Sequence, residues 1–509
     1  MPNIPSVTVT VQDNGSSASI TVPQTNIQLK IGCAVGGTVN QPFATNSPVA
    51  LQTQFVGGPL VEAGGLVCQA GNVVVAVSVP IVTKGVATAV TATVPGGSTS
   101  VVTTTLDSTN GAWDTYYVLV KCVTGGTIGV AGIVLQVSLD AGRNYGTPIA
   151  LGTATTLVLG APYSPVTIGG TGITLNFGAG AMVAGDTWRF STSAPLWNDA
   201  GLAAAISAFQ ASQYGVAGVG SGHIVGTCAG PDITAIQTDI QAGVAIYEYQ
   251  RVIVELRDAL SPVAWGGSGE TEATWISALQ TIASGEVAQP RVCADGGYYN
   301  TPSPYANAAG GAPAYRRPLS WSHAVRRTQI PLQRRAGRVK DGPYSTISVN
   351  PQTDPTDGFI YHDERTTPGL NAARLGSAMT WPKKGAGFFQ CQEPLLSAPG
   401  SQFVELAIGN VLDAACDIAY AAGVEDVSDD LKVQTSGALD PIALNMLQGD
   451  IQTALNEGLV QTPLVSAVTA TVNPTWNVLS SGTIPISINV VPRAYANAIV
   501  ETISLSNGN

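Results

Sequence analysis

The chain has 509 residues and a formal net charge of −11 at pH 7, and only 11% of its residues are charged. This length exceeds what one hydrophobic core usually serves, so several domains are expected. The negative charge disfavours a general affinity for nucleic acid, and so few charges cover a free monomer of this size poorly. We therefore expect much of the surface to face other protein chains.

The first residues predict a β-hairpin arm. Apolar and polar residues alternate over residues 6–11, a turn signal follows at residues 13–15, and the alternation then resumes. Such a hairpin is too small to be stable alone, so residues 1–24 are predicted to pack on their own chain or on a neighbouring copy. The start lacks a secretion signal, and no window approaches the roughly eighteen apolar residues of a membrane span. Assembly in a cytoplasm without membrane insertion is expected.

Residues 25–195 predict β structure almost throughout. Short runs of β-branched residues, such as residues 73–79 and 133–139, are separated by glycine-rich turns. We interpret this region as one or two sandwich-like or barrel-like outer domains.

Strands alternate with helices after this region, which is typical of an α/β domain. A strand at residues 223–228 precedes a helix that opens at Pro231, and a further strand follows at residues 252–254. Residues 297–400 are rich in proline, glycine and arginine and predict loops with a short helix near residues 320–327. Helices from Ser401 and Asp440 complete an α/β core domain predicted over residues 196–480.

The final segment, residues 481–509, predicts a C-terminal β arm. Alternating isoleucines begin at Ile484, and Pro485 within the run favours an edge strand. The predicted fold class is therefore α+β and multi-domain, with β-rich N-terminal domains, an α/β core and terminal strands that could pair with another chain.

Residue types that carry catalysis are sparse. The three histidines, His223, His323 and His362, do not stand at metalloprotease spacing, and no P-loop motif occurs. The sequence YHDER at residues 361–365 is interpreted as a polar surface turn, because adjacent side chains point apart. Seven scattered cysteines form no CxxC pair, so buried free thiols are expected and a zinc site is not. We predict no catalytic, cofactor-binding or metal site, and no enzymatic activity.

Charge is distributed unevenly along the chain. Residues 300–385 carry twelve basic residues against five acidic ones, a local net charge of +7, whereas residues 405–457 are strongly acidic. One interpretation is a solvated face, and the other is a pair of complementary faces that meet between copies.

The last hundred residues resemble the C-terminal region of contractile tail sheath proteins from phages and related injection machines. The resemblance lies in the order and spacing of segments: residues 401–407 (SQFVELA), 413–416 (DAAC), a helix over 437–455, residues 465–468 (VSAV), 473–478 (NPTWNV) and 482–486 (GTIPI). The junction formed by residues 172–177 and 185–190 is similar as well. The resemblance covers about residues 185–509, and residues 1–184 only loosely.

This resemblance implies a structural protein that needs no cofactor. Sheath subunits stack as rings around an inner tube, terminal arms add strands to a neighbour's sheet, and contraction drives the tube through the target envelope. The implied partners are further copies of the chain, the tail tube protein, and the baseplate and tail terminator proteins, without nucleic acid. The implied location is the virion tail.

The site residues predicted on this basis fall into three groups. The inter-subunit strands contain Val7, Val9, Val11, Ile484, Ile486, Ile488, Val490, Ile499 and Ile503; the candidate charge contacts are Arg334, Arg335, Arg338, Asp413 and Asp417; and Cys33 is a possible inter-subunit disulfide partner. A β-rich carbohydrate-binding tail appendage or adhesin is the alternative function. A carbohydrate-active enzyme would need paired carboxylates in a cleft, and spacing identifies no such pair.

Overall fold

The structure is a computed structural model that describes residues 27–160, 170–216, 221–305, 314–348, 358–398, 400–402 and 404–495. It is a mixed α/β, multi-domain protein, as the sequence predicts. The described residues fall into two compact units, one that ends at Asn410 and one that begins at Val411.

The elements of the first unit follow in chain order. They are β1 (Ile27–Cys33), β2 (Phe43–Thr45), α1 (Pro48–Phe55), α2 (Pro59–Gln69), β3 (Val73–Val79), β4 (Thr91–Thr93), β5 (Val102–Leu106), β6 (Tyr117–Thr124), β7 (Gly126–Thr127), β8 (Val134–Ser138), β9 (Ile149–Ala150), β10 (Thr156–Gly160), β11 (Gly170–Phe177), β12 (Ala181–Met182), β13 (Thr187–Ser191), α3 (Asp199–Gln210), α4 (Gln213–Val216), β14 (Gly222–Thr227), α5 (Gly230–Val244), β15 (Val252–Glu255), α6 (Glu272–Gly285), β16 (Gln289–Asp295), β17 (Tyr298–Pro302), β18 (Ala314–Pro318), α7 (Leu319–Thr328), β19 (Ala378–Thr380), β20 (Phe388–Gln390) and β21 (Leu395–Leu396).

The remaining elements lead into and form the second unit. They are α8 (Leu406–Glu425), α9 (Pro441–Leu455), a π-helical turn (Asn456–Gln461), β22 (Val465–Val472), α10 (Val478–Ser481) and β23 (Ile486–Pro492).

A seven-stranded sheet organises the first unit. Its strand order is β2-β3-β1-β14-β15-β16-β21, with parallel pairing from β3 to β16 and an antiparallel strand at each edge. Alternate residues of β1 face opposite sides, as the period of two in a strand requires. Leu29 and Ile31 face the layer formed by α3, α5 and α6, whereas Lys30 faces the layer that contains α2 and α7. The sheet is therefore covered on both faces, the usual arrangement for parallel strands.

The sheet contradicts the predicted boundary at residue 25. β1 and β3 pair in full register with each other, and β1 pairs with β14, so residues 27–79 belong to the α/β sheet and not to a β-rich domain. Strands buried on both faces read as continuous apolar runs, which sequence patterns do not distinguish from sandwich strands. The β-rich part of the structure consists of β4 to β13, whose antiparallel sheets enclose a core around Trp188 and Phe190.

Helix α7 confirms the short helix predicted within residues 297–400. All ten of its residues are buried, because it lies on one face of the sheet between β14 and β16. This burial has a consequence for charge, since His323, Arg326 and Arg327 lie on this helix and must find partners inside the protein.

Candidate functional site: buried charges and the C-terminal hairpin

Parallel α/β sheets bind ligands at the point where the strand order reverses. Here that point lies between the carboxyl ends of β1 and β14. The indole nitrogen of Trp197 donates a hydrogen bond to the Val225 carbonyl at 2.9 Å and lies against Gly226, whose φ is +123°. Glu255 accepts hydrogen bonds from the Gly226 amide and, at 3.3 Å, from the Trp321 indole. Side chains of the chain itself therefore fill this crevice.

The sheet face beneath α7 carries polar residues. Lys30 and His223 are both fully buried, and Lys30 Nζ lies 2.7 Å from His223 Nδ1. Burial lowers the pKa of Lys30 to about 7, although the carboxylate of Glu255 opposes this effect. Burial likewise raises the pKa of Glu255 to about 7.

His323 is the centre of an ionic cluster on the same face. Its Nδ1 lies 2.8 Å from Asp295 Oδ2, its Nε2 lies 3.0 Å from Glu393 Oε2, and Arg327 Nη1 lies 3.4 Å from Glu393 Oε1. Burial alone lowers the pKa of His323, but the two carboxylates outweigh it and raise the pKa to about 9. The cluster therefore joins β16, α7 and the segment before β21.

Two consecutive arginines of β18 point to different partners. The guanidinium of Arg316 binds both carboxylate oxygens of Asp258, at 2.6 and 2.7 Å, and lies 5.0 Å from the centre of the Phe359 ring. Arg317 binds Glu62 of α2 at 2.7 Å and Asp114, which precedes β6, at 3.3 Å. Because Asp114 and Glu62 come from different layers, Arg317 connects the β-rich part to the α/β sheet; we call this group the Arg317 clamp.

The buried arginines correct the interpretation of the basic segment as a charged outer face. Arg316, Arg317, Arg326 and Arg327 are each at most 7% exposed and bind carboxylates or backbone carbonyls of their own chain. Because these four guanidiniums are buried and already bind groups of their own chain, they do not form a basic surface for a neighbouring copy.

The predicted charge contacts divide into exposed and internal residues. The side chains of Arg334 and Arg338 are 35% and 43% exposed, and both lie near Asp341 Oδ1, at 3.4 and 2.9 Å. Arg335 is 18% exposed and binds Glu405 at 2.8 Å within the chain. Asp413 is buried and Asp417 is half-buried. Their role between subunits stays a prediction.

The prediction of a polar surface turn at residues 361–365 is wrong for three of the five residues. His362, Asp363 and Glu364 are buried. His362 lies 2.9 Å from Glu272 and 2.8 Å from Glu364, and Glu364 also accepts hydrogen bonds from three backbone amides. Adjacent side chains do point apart: His362 and Glu364 contact each other, whereas Asp363 between them accepts a hydrogen bond from the Thr380 hydroxyl at 2.6 Å.

The C-terminal unit contains a two-stranded sheet. β22 and β23 pair antiparallel, with Ile486 opposite Val472 and Ile488 opposite Ala470. The outward edge of β22 is covered by α9, because Gln448 Oε1 accepts from the Val472 amide at 3.1 Å and Gln452 Oε1 accepts from the Ala470 amide at 2.7 Å.

This pattern fixes the direction of the main-chain groups on β23. Directly opposed residues in an antiparallel pair point their N–H and C=O groups either both inward or both outward. Since Ala470 and Val472 point outward, Ile488 and Ile486 do too, and Val490 follows with the same period of two. No strand among the described residues pairs with this outer edge of β23.

The other predicted inter-subunit residues have varied outcomes. Ile484 precedes β23, and Val7, Val9, Val11, Ile499 and Ile503 lie outside the described residues. Their pairing with a neighbour stays a prediction.

Cys33 lies at the end of β1 with 1% exposure, and burial raises the pKa of its thiol to about 12. Such a thiol is a poor partner for disulfide formation. The burial argues against the predicted inter-subunit bridge at this residue.

One described helix, α8, is long and apolar enough to cross a membrane by length and composition alone. Its most apolar window is 56% buried inside the protein, and buried core helices pass the same test.

The residues missed by sequence reasoning are Asp295 and Glu393, the partners of His323, and Glu62 and Asp114, the partners of Arg317. The sequence offers no clear signal for them, because Arg317 and His323 stand in segments, residues 314–318 (AYRRP) and 319–328 (LSWSHAVRRT), that mix apolar with polar and charged residues. Pattern reasoning cannot name an acidic partner across separations of 28 to 255 residues.

No family model and no curated protein match the sequence. Solved structures that are similar to the chain include the sheath tail protein of Desulfitobacterium hafniense, with a TM-score of 0.45, 10% identity, and coverage of 96% of this chain and 100% of that one. The sheath tail protein of Listeria innocua has a TM-score of 0.43 and 9% identity and covers 93% and 96% of the two chains. The contracted sheath complex of the PVC extracellular contractile injection system has a TM-score of 0.49 and 10% identity and covers 100% and 99%. These are proteins of the kind that the C-terminal sequence resembles.

Proposed function

We propose that this chain is the structural subunit of a contractile tail sheath, which polymerises around an inner tube and contracts to drive the tube through a host envelope. Copies of the chain, assembled in the host cytoplasm, form stacked rings on a virion tail, and contraction leads to genome ejection. The tail tube, baseplate and tail terminator proteins are the further partners. The role is mechanical, without catalysis.

The outer edge of β23 is the observation that carries the proposal. Ile486, Ile488 and Val490 direct their main-chain groups outward, where an extended segment of another copy could pair with them by strand addition. The opposite edge of the hairpin is covered by Gln448 and Gln452, so only one side can accept a strand. Because the hairpin can accept a strand at one edge and not at the other, assembly has a defined direction.

Exposed apolar side chains on the same unit add support. Ile442 and Met446, one turn apart on α9, are 69% and 65% exposed, and Leu479 on α10 is 75% exposed. The Leu479 amide donates a hydrogen bond to the Gly437 carbonyl, a few residues before α9, which brings the two elements close together. A soluble monomer gains nothing from such exposure, whereas a subunit of a lattice covers it.

The filled crevice supports a role without catalysis. Where α/β enzymes bind substrate, this chain places Trp197 against Gly226 and Trp321 against Glu255. These indoles stabilise the fold and occupy the volume that a substrate would need.

Negative-stain electron microscopy of the purified full-length chain tests the proposal, because sheath subunits are expected to form long hollow cylinders. In the variant Val490→Pro an outward N–H is lost while the hairpin bonds remain, so cylinders should be lost. Val490→Ala shortens the side chain and keeps the N–H, and it should still assemble. Discrete small particles from the unmodified chain, or normal cylinders from Val490→Pro, would contradict the proposal.

A further inference from the structure

Three donor atoms of different chemistry converge beneath α7. Cys293 and Asp295 stand two residues apart on β16 and so face the same side of the sheet, and His323 faces them from the helix. The thiol sulfur, a carboxylate oxygen and a ring nitrogen all lie within 4.8 Å of one another, and all three residues are buried. Both supporting elements are regular and packed, so the donors are held by rigid backbone.

A second layer of side chains orients these donors. Glu393 Oε2 lies 3.0 Å from His323 Nε2, and Asp295 Oδ1 accepts a hydrogen bond from Gln390 at 3.3 Å. In metal sites, the ring nitrogen that does not bind the metal typically donates to a carboxylate, which fixes the tautomer and the ring direction. Glu393 has that position here, and it leaves Nδ1 of His323 directed at Asp295.

We propose that Cys293, Asp295 and His323 form a buried three-ligand site for a zinc-class dication that ties α7 to β16. Zinc takes sulfur, nitrogen and oxygen donors together, with bonds of roughly 2.0–2.3 Å, which place donor pairs roughly 3–4 Å apart. The contact of 2.8 Å between His323 and Asp295 then opens slightly, and the thiol moves inward from at most 4.8 Å.

The charge of the cluster is unchanged by this exchange. The dication displaces one proton from the imidazolium of His323 and one from the thiol of Cys293, and both protons leave to solvent without any oxidation or reduction. The summed formal charge of the metal, the thiolate and the neutral imidazole equals that of the thiol and the imidazolium. The neighbouring ion pair of Glu393 and Arg327 therefore faces the same net charge with and without the metal.

Metal content and cobalt spectroscopy of the full-length protein test this site. Protein expressed in zinc-supplemented medium should carry one equivalent of zinc after gel filtration, and cobalt-grown protein should show a thiolate-to-cobalt charge-transfer band. Cys293→Ser should abolish the band and the bound zinc. Glu393→Gln should weaken zinc binding by roughly 10–100-fold, as expected when an outer partner is changed.

Cys228→Ser is the matched control, because Cys228 is also a buried free thiol next to the same sheet and lies outside the cluster. It should retain both the zinc and the band. The proposal is overturned if the unmodified protein holds no more zinc than Cys293→Ser, or if cobalt-grown protein has no charge-transfer band. The cobalt spectrum needs no variant, so misfolding of a variant cannot hide a negative result.

Discussion

Replacement of Arg317 by methionine tests the clamp that connects the β-rich part to the α/β sheet. The Arg317 side chain is 2% exposed and binds Glu62 at 2.7 Å, Asp114 at 3.3 Å and the Thr115 carbonyl at 2.8 Å. Methionine keeps most of the length and the apolar stem, so packing changes little. What the variant loses is the positive charge between two buried carboxyl groups.

The expected cost follows from the partners that remain. Removing one member of a buried ion pair costs about 3–5 kcal/mol, because the other charge stays buried and unpaired. Unfolding entropy is about 2.1 cal/mol/K per residue, so about 4 kcal/mol lowers the melting temperature by about 5 °C for the roughly 380 residues from Ile27 to Asn410. The loss should be larger at pH 8 than at pH 5, since burial raises the pKa of Asp114 to about 7 and this carboxyl takes up a proton at the lower pH.

Differential scanning calorimetry at both pH values measures this effect. Arg365→Met is the control, because Arg365 is exposed and the same substitution there should change stability by less than about 0.5 kcal/mol. Equal melting temperatures for the two variants would refute the clamp, and equal losses at pH 5 and pH 8 would refute its ionic character.

Three further outcomes are expected. Burial raises the pKa of Asp114 to about 7, above its unfolded value near 3.8. This carboxyl therefore destabilises the fold increasingly as pH rises from about 4 to 7. The variant Asp114→Asn should have a higher melting temperature than the unmodified chain at pH 8 and the same melting temperature at pH 4. Gly226→Ala, with φ at +123° and a Cβ that would lie 2.6 Å from the Trp197 indole, should lower the urea midpoint more than Gly71→Ala, where φ is +82° and the space is open. Charge reversal of Arg334 and Arg338 together should impair cylinder formation in electron microscopy without lowering the melting temperature by more than about 2 °C, because exposed ion pairs contribute about 0–1 kcal/mol; unchanged cylinders would remove these residues from the proposed contact.

Elements with a strong period were predictable from the sequence. The helix opening at Pro231 and the strand at residues 252–254 are present as α5 and β15, and even the short helix near residues 320–327 is present as α7. In each case the apolar spacing, or a proline at the first turn, marks the element locally.

The assignment of β1 and β3 to a sheet with β14 was not predictable in the same way. Parallel pairing joins strands that lie far apart in the chain, and α2, which carries Gly64 and Gly65 in its middle, has little of the pattern expected of a helix between them. Those glycines let α2 pack closely, since a Cβ at Gly64 would meet Leu51 at 2.6 Å. Tertiary packing here outweighs helix propensity.

The candidate site was predicted in part. The alternation around Ile488 predicted a strand and Pro485 favoured an edge position, and β23 pairs on one side only among the described residues. The sequence does not reveal that Gln448 and Gln452 cover the other edge of the hairpin. A run of arginines predicts an exposed segment, because charge runs are usually solvated. Arg317 is instead buried, where it binds Glu62, an acidic residue 255 positions away in the chain. Charge pairing at that range depends on the folded topology and not on local pattern.

The polar face under α7 also constrains how this protein can change over evolutionary time. Replacement of Asp295 or Glu393 by an apolar residue would leave His323 or Arg327 buried without its acidic partner. Each single replacement therefore passes through a less stable protein. Substitutions at these four positions should consequently appear in concert among homologues, as blocks that are kept or exchanged together. A core built from ionic partners thus preserves lineage-specific combinations for longer than a purely aliphatic core, in which one side chain can be exchanged for another of similar volume.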